Sequence, residues 1–99
     1  MTLDLAAALT GISGILVTPF DSSGAVAPAR LAPLLDRALA AGVHLPAVNG
    51  NTGEFSALSC DEACTMVRAV AVLVGNRAPL LAGVGRSLPD ACRLARASA

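Results

Sequence analysis

The apolar residues of this chain occur in two kinds of pattern. Three short runs are rich in aliphatic and β-branched residues on both faces, which is typical of strands buried in a parallel sheet. These runs cover residues 12–18, 43–49 and 79–84. Three longer stretches repeat their apolar residues every three or four positions and predict helices. These stretches cover residues 28–41, 60–74 and 88–98.

The predicted helices carry recognisable start and stop signals. Pro28 stands at a preferred first helical position, and Gly42 follows the same helix at the C′ position. Ser59 and Glu62 have the spacing of a capping box. Ser87 precedes the last helix as a candidate cap.

The order of the elements predicts a single α/β domain over residues 1–99. The strand centres Ile15, Ala47 and Leu81 lie 32 and 34 residues apart. Strands that alternate with helices at this spacing are parallel and are joined by right-handed crossovers. The chain reaches Ala99 inside a predicted helix, without a glycine or proline to end it. We therefore expect a fragment or a truncated gene product.

Composition narrows the possible partners. Hydrophobic residues make up 55% of the chain and charged residues 14%, which indicates apolar surface that something else should cover. The longest uninterrupted apolar run, residues 69–74, is far below the ~18 residues of a membrane span. Net charge is zero, so the sequence shows no footprint for nucleic acid or for an anionic membrane.

Cysteine usage and the first residues favour a cytoplasmic protein. Three cysteines are an odd number at no disulfide-framework spacing, and no basic residue precedes the first apolar stretch. Cys60 and Cys64 lie one helical turn apart, but no histidine or second cysteine pair accompanies them, so we predict no metal site. His44 begins a strand and therefore faces the end of the sheet opposite the chemistry.

Candidate chemistry lies where the predicted strands end. Ligands bind beyond the carboxyl ends of parallel strands, and those ends are Thr18, the loop 50–54, and Arg86. Gly50 and Gly53 flank Asn51 and Thr52, which lets successive N–H groups face a carboxylate or phosphate. A glycine-rich turn without a ligand explains the same pattern. Glu54 is interpreted as structural, and Thr18 and Arg86 are possible substrate contacts, Arg86 with an anion.

Three segments resemble the dihydrodipicolinate synthase/N-acetylneuraminate lyase family. They are residues 15–21 (Ile-Leu-Val-Thr-Pro-Phe-Asp), 49–59 with Asn-Gly-Asn-Thr-Gly-Glu-Phe and Ala-Leu-Ser, and 82–85 (Ala-Gly-Val-Gly). Their order and separations match the first three βα units of that family. The resemblance implies a (β/α)8 TIM barrel, of which this chain has the N-terminal three units, and a homotetramer when the barrel is complete.

The same resemblance implies class I lyase chemistry on pyruvate or a related 2-keto acid, by aldol condensation, cleavage or dehydration. In the family, a lysine forms a Schiff base with the keto acid, a tyrosine assists proton transfer, and no cofactor is needed. Thr52 matches the threonine that binds the substrate carboxylate, with Asn51 and Gly53 beside it. Asn51 departs from the family, which places a hydroxyl residue there.

The family's covalent chemistry cannot run on these residues alone. All seven basic residues are arginine, and the sequence has neither lysine nor tyrosine. We therefore expect the chain alone to be inactive. Two alternatives remain at this point: a non-catalytic, truncated βα protein, and a small α/β domain that binds phosphate with the loop 50–53.

Overall fold

The computed structural model describes residues 4–99 and shows three βα units around one parallel sheet. The strands are β1 (Ser13–Ile15), β2 (Leu45–Val48) and β3 (Leu81–Ala82). They lie in the order β1-β2-β3, and both neighbouring pairs are parallel. Each strand is shorter than its apolar run, because only part of each run pairs with a neighbouring strand.

Four α-helices accompany the sheet. They are α1 (Leu5–Leu9), α2 (Ala32–Ala40), α3 (Cys60–Val74) and α4 (Leu88–Ser98). A 3-10 turn over Pro28–Leu31 precedes α2, so the predicted helix 28–41 is divided in two. The sequence prediction did not include α1. Its signal was Asp4, whose Oδ1 accepts a hydrogen bond from the Ala7 N–H at 3.0 Å before an alanine-rich turn.

The long helix α3 is fixed at its start by its own sequence. The Ser59 hydroxyl accepts a hydrogen bond from the Glu62 N–H at 3.1 Å, and the Glu62 carboxylate accepts one from the Ser59 N–H at 2.8 Å. This is the capping box that the sequence predicts. At the start of α4, the Ser87 hydroxyl accepts a hydrogen bond from the Asp90 N–H at 3.2 Å, without the reciprocal bond.

The core lies between one face of the sheet and helices α2 and α3. Leu16 and Val48 point into it from the strands, and Ala82 packs against it. The helices contribute fully buried aliphatic side chains, namely Leu31, Leu35, Met66, Val70 and Val74. A smaller cluster of Ala63, Cys64 and Leu94 joins α3 to α4.

The opposite face of the sheet is largely uncovered. Ile15 and Leu81 flank the buried Ala47 in one row across the strands, and they are 50% and 48% exposed. Val17 and Val84 are also about half exposed, just beyond the strands. Within residues 4–99, no helix is long and apolar enough to cross a membrane. Ile15, Val17 and Leu81 share this side of the sheet, which we call the open face (Ile15, Val17 and Leu81).

Candidate functional site

The loops that follow β2 and β3 are packed tightly against each other. The Gly83 N–H donates a hydrogen bond to the Val48 carbonyl at 2.9 Å. A Cβ on Gly83 would stand 2.1 Å from the backbone oxygen of Asn49, so only glycine fits there. The carboxyl ends of the strands thus form one continuous surface, as the parallel order requires.

The loop after β2 is a short 3-10 turn, Asn51–Gly53, that begins at Gly50. The Gly53 N–H donates to the Gly50 carbonyl and the Glu54 N–H to the Asn51 carbonyl, each at 3.0 Å. Within residues 4–99, the N–H groups of Asn51 and Thr52 have no such partner. These two adjacent donors are what the turn offers to a ligand.

Side chains of the same turn face solvent. Asn51 and Thr52 are exposed, and the Thr52 hydroxyl makes no hydrogen bond to any residue in the described part of the chain. No enclosed cavity surrounds the turn among residues 4–99. The geometry therefore presents two backbone donors and one hydroxyl on an open surface, which suits one carboxylate or phosphate group.

Gly53 supports the turn from the inside. It is buried, and its carbonyl accepts a hydrogen bond of 2.5 Å from the hydroxyl of Thr18, which is 7% exposed. A Cβ on Gly53 would lie 2.7 Å from the Leu16 carbonyl oxygen. Both backbone polar groups of Gly53 are therefore used within the protein. Gly53 and Thr18 hold the turn in place, and a direct contact of either with substrate stays a prediction.

Asn49 is a site residue that the sequence analysis did not single out. Its backbone is left-handed with φ 61°, a conformation that asparagine tolerates better than most residues. Its side chain is buried, and Nδ2 donates to the Ala63 carbonyl at 3.0 Å. Asn49 thereby ties the end of β2 to the start of α3. Its Oδ1 has no partner among the described residues.

The Arg86 side chain contacts the segment that follows the turn. Its Nη1 donates to the Leu58 carbonyl and lies 3.5 Å from the Phe55 carbonyl. Its Nε is 3.6 Å from the Asp90 carboxylate. The sequence analysis gave Arg86 as a possible contact for an anionic substrate. In the structure its guanidinium bonds to protein backbone, and the contact with substrate stays a prediction.

Neither His44 nor Glu54 is among the hydrogen-bond donors that the turn Asn51–Gly53 offers. His44 stands before β2, at the other end of the sheet, and its Nδ1 accepts a hydrogen bond from the Ile12 N–H at 2.9 Å. Glu54 is exposed and left-handed, with φ 63°, and it links two consecutive 3-10 turns. Its role in the loop is therefore a backbone role.

The cysteines offer no metal centre. In the described part of the chain, no group of three or more histidine, cysteine, aspartate or glutamate side chains is arranged to hold a metal ion. Burial raises the pKa of the Cys60 thiol, and the Asp90 carboxylate and Cys64 raise it further. A raised pKa disfavours the thiolate that would bind a metal.

Known proteins resemble the chain over nearly its whole length. The model of the dihydrodipicolinate synthetase family matches residues 8–99. The 4-hydroxy-tetrahydrodipicolinate synthase of Xanthomonas axonopodis pv. citri is 46% identical over 79 residues, which are 80% of this chain and 26% of that protein. The enzyme of the same name from Mycobacterium leprae is 37% identical over 82 residues, which are 83% of this chain and 27% of that protein.

Solved structures of the same family are also similar to the chain. Dihydrodipicolinate synthase from Bacillus clausii superposes with a TM-score of 0.86 at 38% identity, over 96% of this chain and 32% of that one. YagE, a family member from Escherichia coli solved in complex with pyruvate, superposes with a TM-score of 0.84 at 30% identity, over 90% of this chain and 30% of that one.

The fold is that of three βα units of a TIM barrel, and among the described residues the N–H groups of Asn51 and Thr52 lie without a backbone partner in the loop after β2. The chain belongs to the dihydrodipicolinate synthetase family. It spans about a quarter of the length of the curated relatives named above. The resemblance that the sequence motifs indicated is confirmed.

Proposed function

We propose that the protein acts as a class I lyase on pyruvate or a related 2-keto acid, and that this chain supplies the carboxylate-binding turn. The observation that carries the proposal is the pair of unpaired N–H groups at Asn51 and Thr52, with the free Thr52 hydroxyl beside them. Membership of the family supports a keto acid as the ligand. The complex of YagE with pyruvate supports the same class of ligand.

In this proposal the turn binds and orients, and it performs no covalent step. The substrate carboxylate accepts hydrogen bonds from both N–H groups and from the hydroxyl, which fixes the neighbouring keto carbon for attack. The attacking group in this class is a lysine amine that forms a Schiff base. The sequence contains no lysine and no tyrosine, so the 99 residues alone should bind the keto acid and leave it unchanged.

Asn51 shapes the choice of reaction. Its amide donates and accepts hydrogen bonds, but it is a poor substitute for a hydroxyl in a proton relay. Asn51 therefore leaves room for aldol cleavage or dehydration of a related 2-keto acid, beside aldol condensation. A family-like homotetramer belongs to the same proposal for the complete barrel.

Hydrogen–deuterium exchange of the chain with and without pyruvate tests this binding. Pyruvate should slow exchange in peptides that cover residues 50–54, and methyl pyruvate, which lacks the carboxylate charge, should not. Thr52→Ala should raise the half-saturating pyruvate concentration about ten- to a hundredfold, because it removes one hydrogen bond to a charged group. Thr65→Ala, an exposed threonine on α3, is the matched control and should bind as the wild type does.

Two further outcomes separate the alternatives. Protection by inorganic phosphate but not by pyruvate would favour the small phosphate-binding domain over the lyase. Treatment with pyruvate and borohydride should give no saturable adduct, since no lysine is present to be trapped and the α-amino group of Met1 should react only weakly and without saturation. A saturable pyruvyl adduct would contradict the binding-only role.

A further inference from the structure

Arg86 joins the turn that follows β2 to the first residues of α4. Its guanidinium donates to the Leu58 carbonyl and approaches the Phe55 carbonyl at 3.5 Å. The guanidinium carbon also lies 6.0 Å from the centroid of the Phe55 ring, within the range of a cation–π contact. On its other side, Nε is 3.6 Å from the carboxylate of Asp90. One side chain therefore connects three residues, Phe55, Leu58 and Asp90, on two different βα units.

The backbone of Arg86 is held in an unfavourable conformation. Its φ is 75°, in the left-handed region where residues with a Cβ are strained and glycine is not. The preceding Gly85 lies so close to Phe55 that a Cβ there would be 3.3 Å from the ring carbon Cε2. An arginine at a position where glycine costs less indicates that its side-chain contacts compensate for the strain.

The segment that Arg86 holds is continuous with the anion-binding turn. Residues 51–53 and 55–57 form two 3-10 turns that meet at the left-handed Glu54. Thr18 fixes the first turn through the Gly53 carbonyl, and Arg86 fixes the end of the second through the Leu58 carbonyl. The loop is thus held at two points, by Thr18 at the Gly53 carbonyl and by Arg86 at the Leu58 carbonyl.

We propose that Arg86 is a positioning residue for the anion-binding turn. By holding Phe55 and Leu58, it keeps the N–H groups of Asn51 and Thr52 directed at one ligand carboxylate. The inference rests on the proposed function, because it takes a 2-keto acid as the ligand. Arg86 itself need not touch that ligand.

Exchange measurements on Arg86→Gly and Arg86→Lys test the role. Arg86→Gly removes the side chain and relieves the backbone strain, so the fold should persist. Exchange in residues 50–58 should accelerate on the order of tenfold, as expected for a lost hydrogen bond to a charged donor. The half-saturating pyruvate concentration should rise by a similar factor. Arg86→Lys should restore part of both, because an ammonium can bond Leu58 without the planar fork of arginine.

Arg93→Ala is the matched control. Arg93 also joins α4 to the start of α3, through an ion pair with Asp61, but it does not contact the turn. It should leave both exchange in residues 50–58 and the pyruvate titration unchanged.

The outcomes separate this inference from the proposed function. Unchanged exchange in Arg86→Gly would overturn it. Faster exchange with an unchanged half-saturating pyruvate concentration would also overturn it, because loss of Arg86 would then loosen the loop without weakening ligand binding. If the wild-type chain shows no response to pyruvate, the proposed function fails. In that case, the exchange of the wild type and of Arg86→Gly without ligand still decides whether Arg86 holds the loop.

Discussion

At the scale of single residues, the candidate site depends on buried support for an exposed turn. Asn51 and Thr52 present the donors, but Thr18, Asn49 and Gly53 lie beneath them with little or no exposed surface. Each of these three takes part in a hydrogen bond that joins distant segments of the chain. A substitution below the turn should therefore change stability as well as binding.

Thr18→Val tests this support at nearly constant volume. The change leaves the buried Gly53 carbonyl without its donor and should lower the free energy of unfolding by about 1–3 kcal/mol. Thr65→Val changes an exposed threonine in the same way and should stay within roughly 0.5 kcal/mol of the wild type. Urea unfolding monitored by circular dichroism measures both. Equal effects would mean that the Thr18 hydrogen bond contributes nothing specific.

At the scale of elements, α3 connects the site to the core. It starts two residues after Leu58, whose carbonyl Arg86 binds, and its inner face carries buried residues of both clusters. The capping box at Ser59 therefore fixes where the loop ends and the helix begins. A frayed first turn would release the loop from its carboxyl-terminal side.

Ser59→Ala should reduce stability by about 1 kcal/mol, because the side-chain acceptor for the Glu62 N–H is lost. Glu62→Gln keeps an acceptor for the Ser59 N–H and should cost less. Ser56→Ala, at an exposed position in the preceding turn, serves as the control. Thermal unfolding of the three variants gives the comparison. A loss in Ser56→Ala as large as that in Ser59→Ala would remove the capping box as the cause.

At the scale of the whole molecule, the open face dominates the behaviour of the 99-residue chain. Its apolar side chains stand on a sheet whose outer strands, β1 and β3, each pair on one side only. Unpaired strand edges and contiguous exposed apolar surface both recruit further chains. Well-capped helices on the other face do not remove either liability.

We expect the purified chain to self-associate, with a mass above that of a monomer in multi-angle light scattering. The double substitution Ile15→Thr and Leu81→Thr makes the open face more polar while placing β-branched residues, which suit strands, at both positions, and it should reduce the association. Val72→Thr alters an apolar residue that is 81% exposed on α3 and should not. A monodisperse wild-type monomer with a cooperative unfolding transition would contradict the expectation.

Local patterns were sufficient for much of this organisation. The helices 60–74 and 88–98 have the bounds that periodicity and caps predict, because Ser59, Glu62 and Ser87 act on backbone within three residues of themselves. The strands were placed correctly but made too long. An apolar run predicts which residues are buried, whereas a residue counts as part of a strand only where it also pairs with a neighbouring strand.

The order of the three βα units, the family, and the position of the turn at Asn51 and Thr52 follow from local sequence patterns, although α1 does not. Which backbone donors stay free, and which residues support them, depends on contacts between distant segments. Thr18, Asn49 and Arg86 bond to groups 14 to 35 residues away in the chain, and no local pattern records such pairings. Parallel strands bring distant loops to one edge, so the support of the site is a property of the fold.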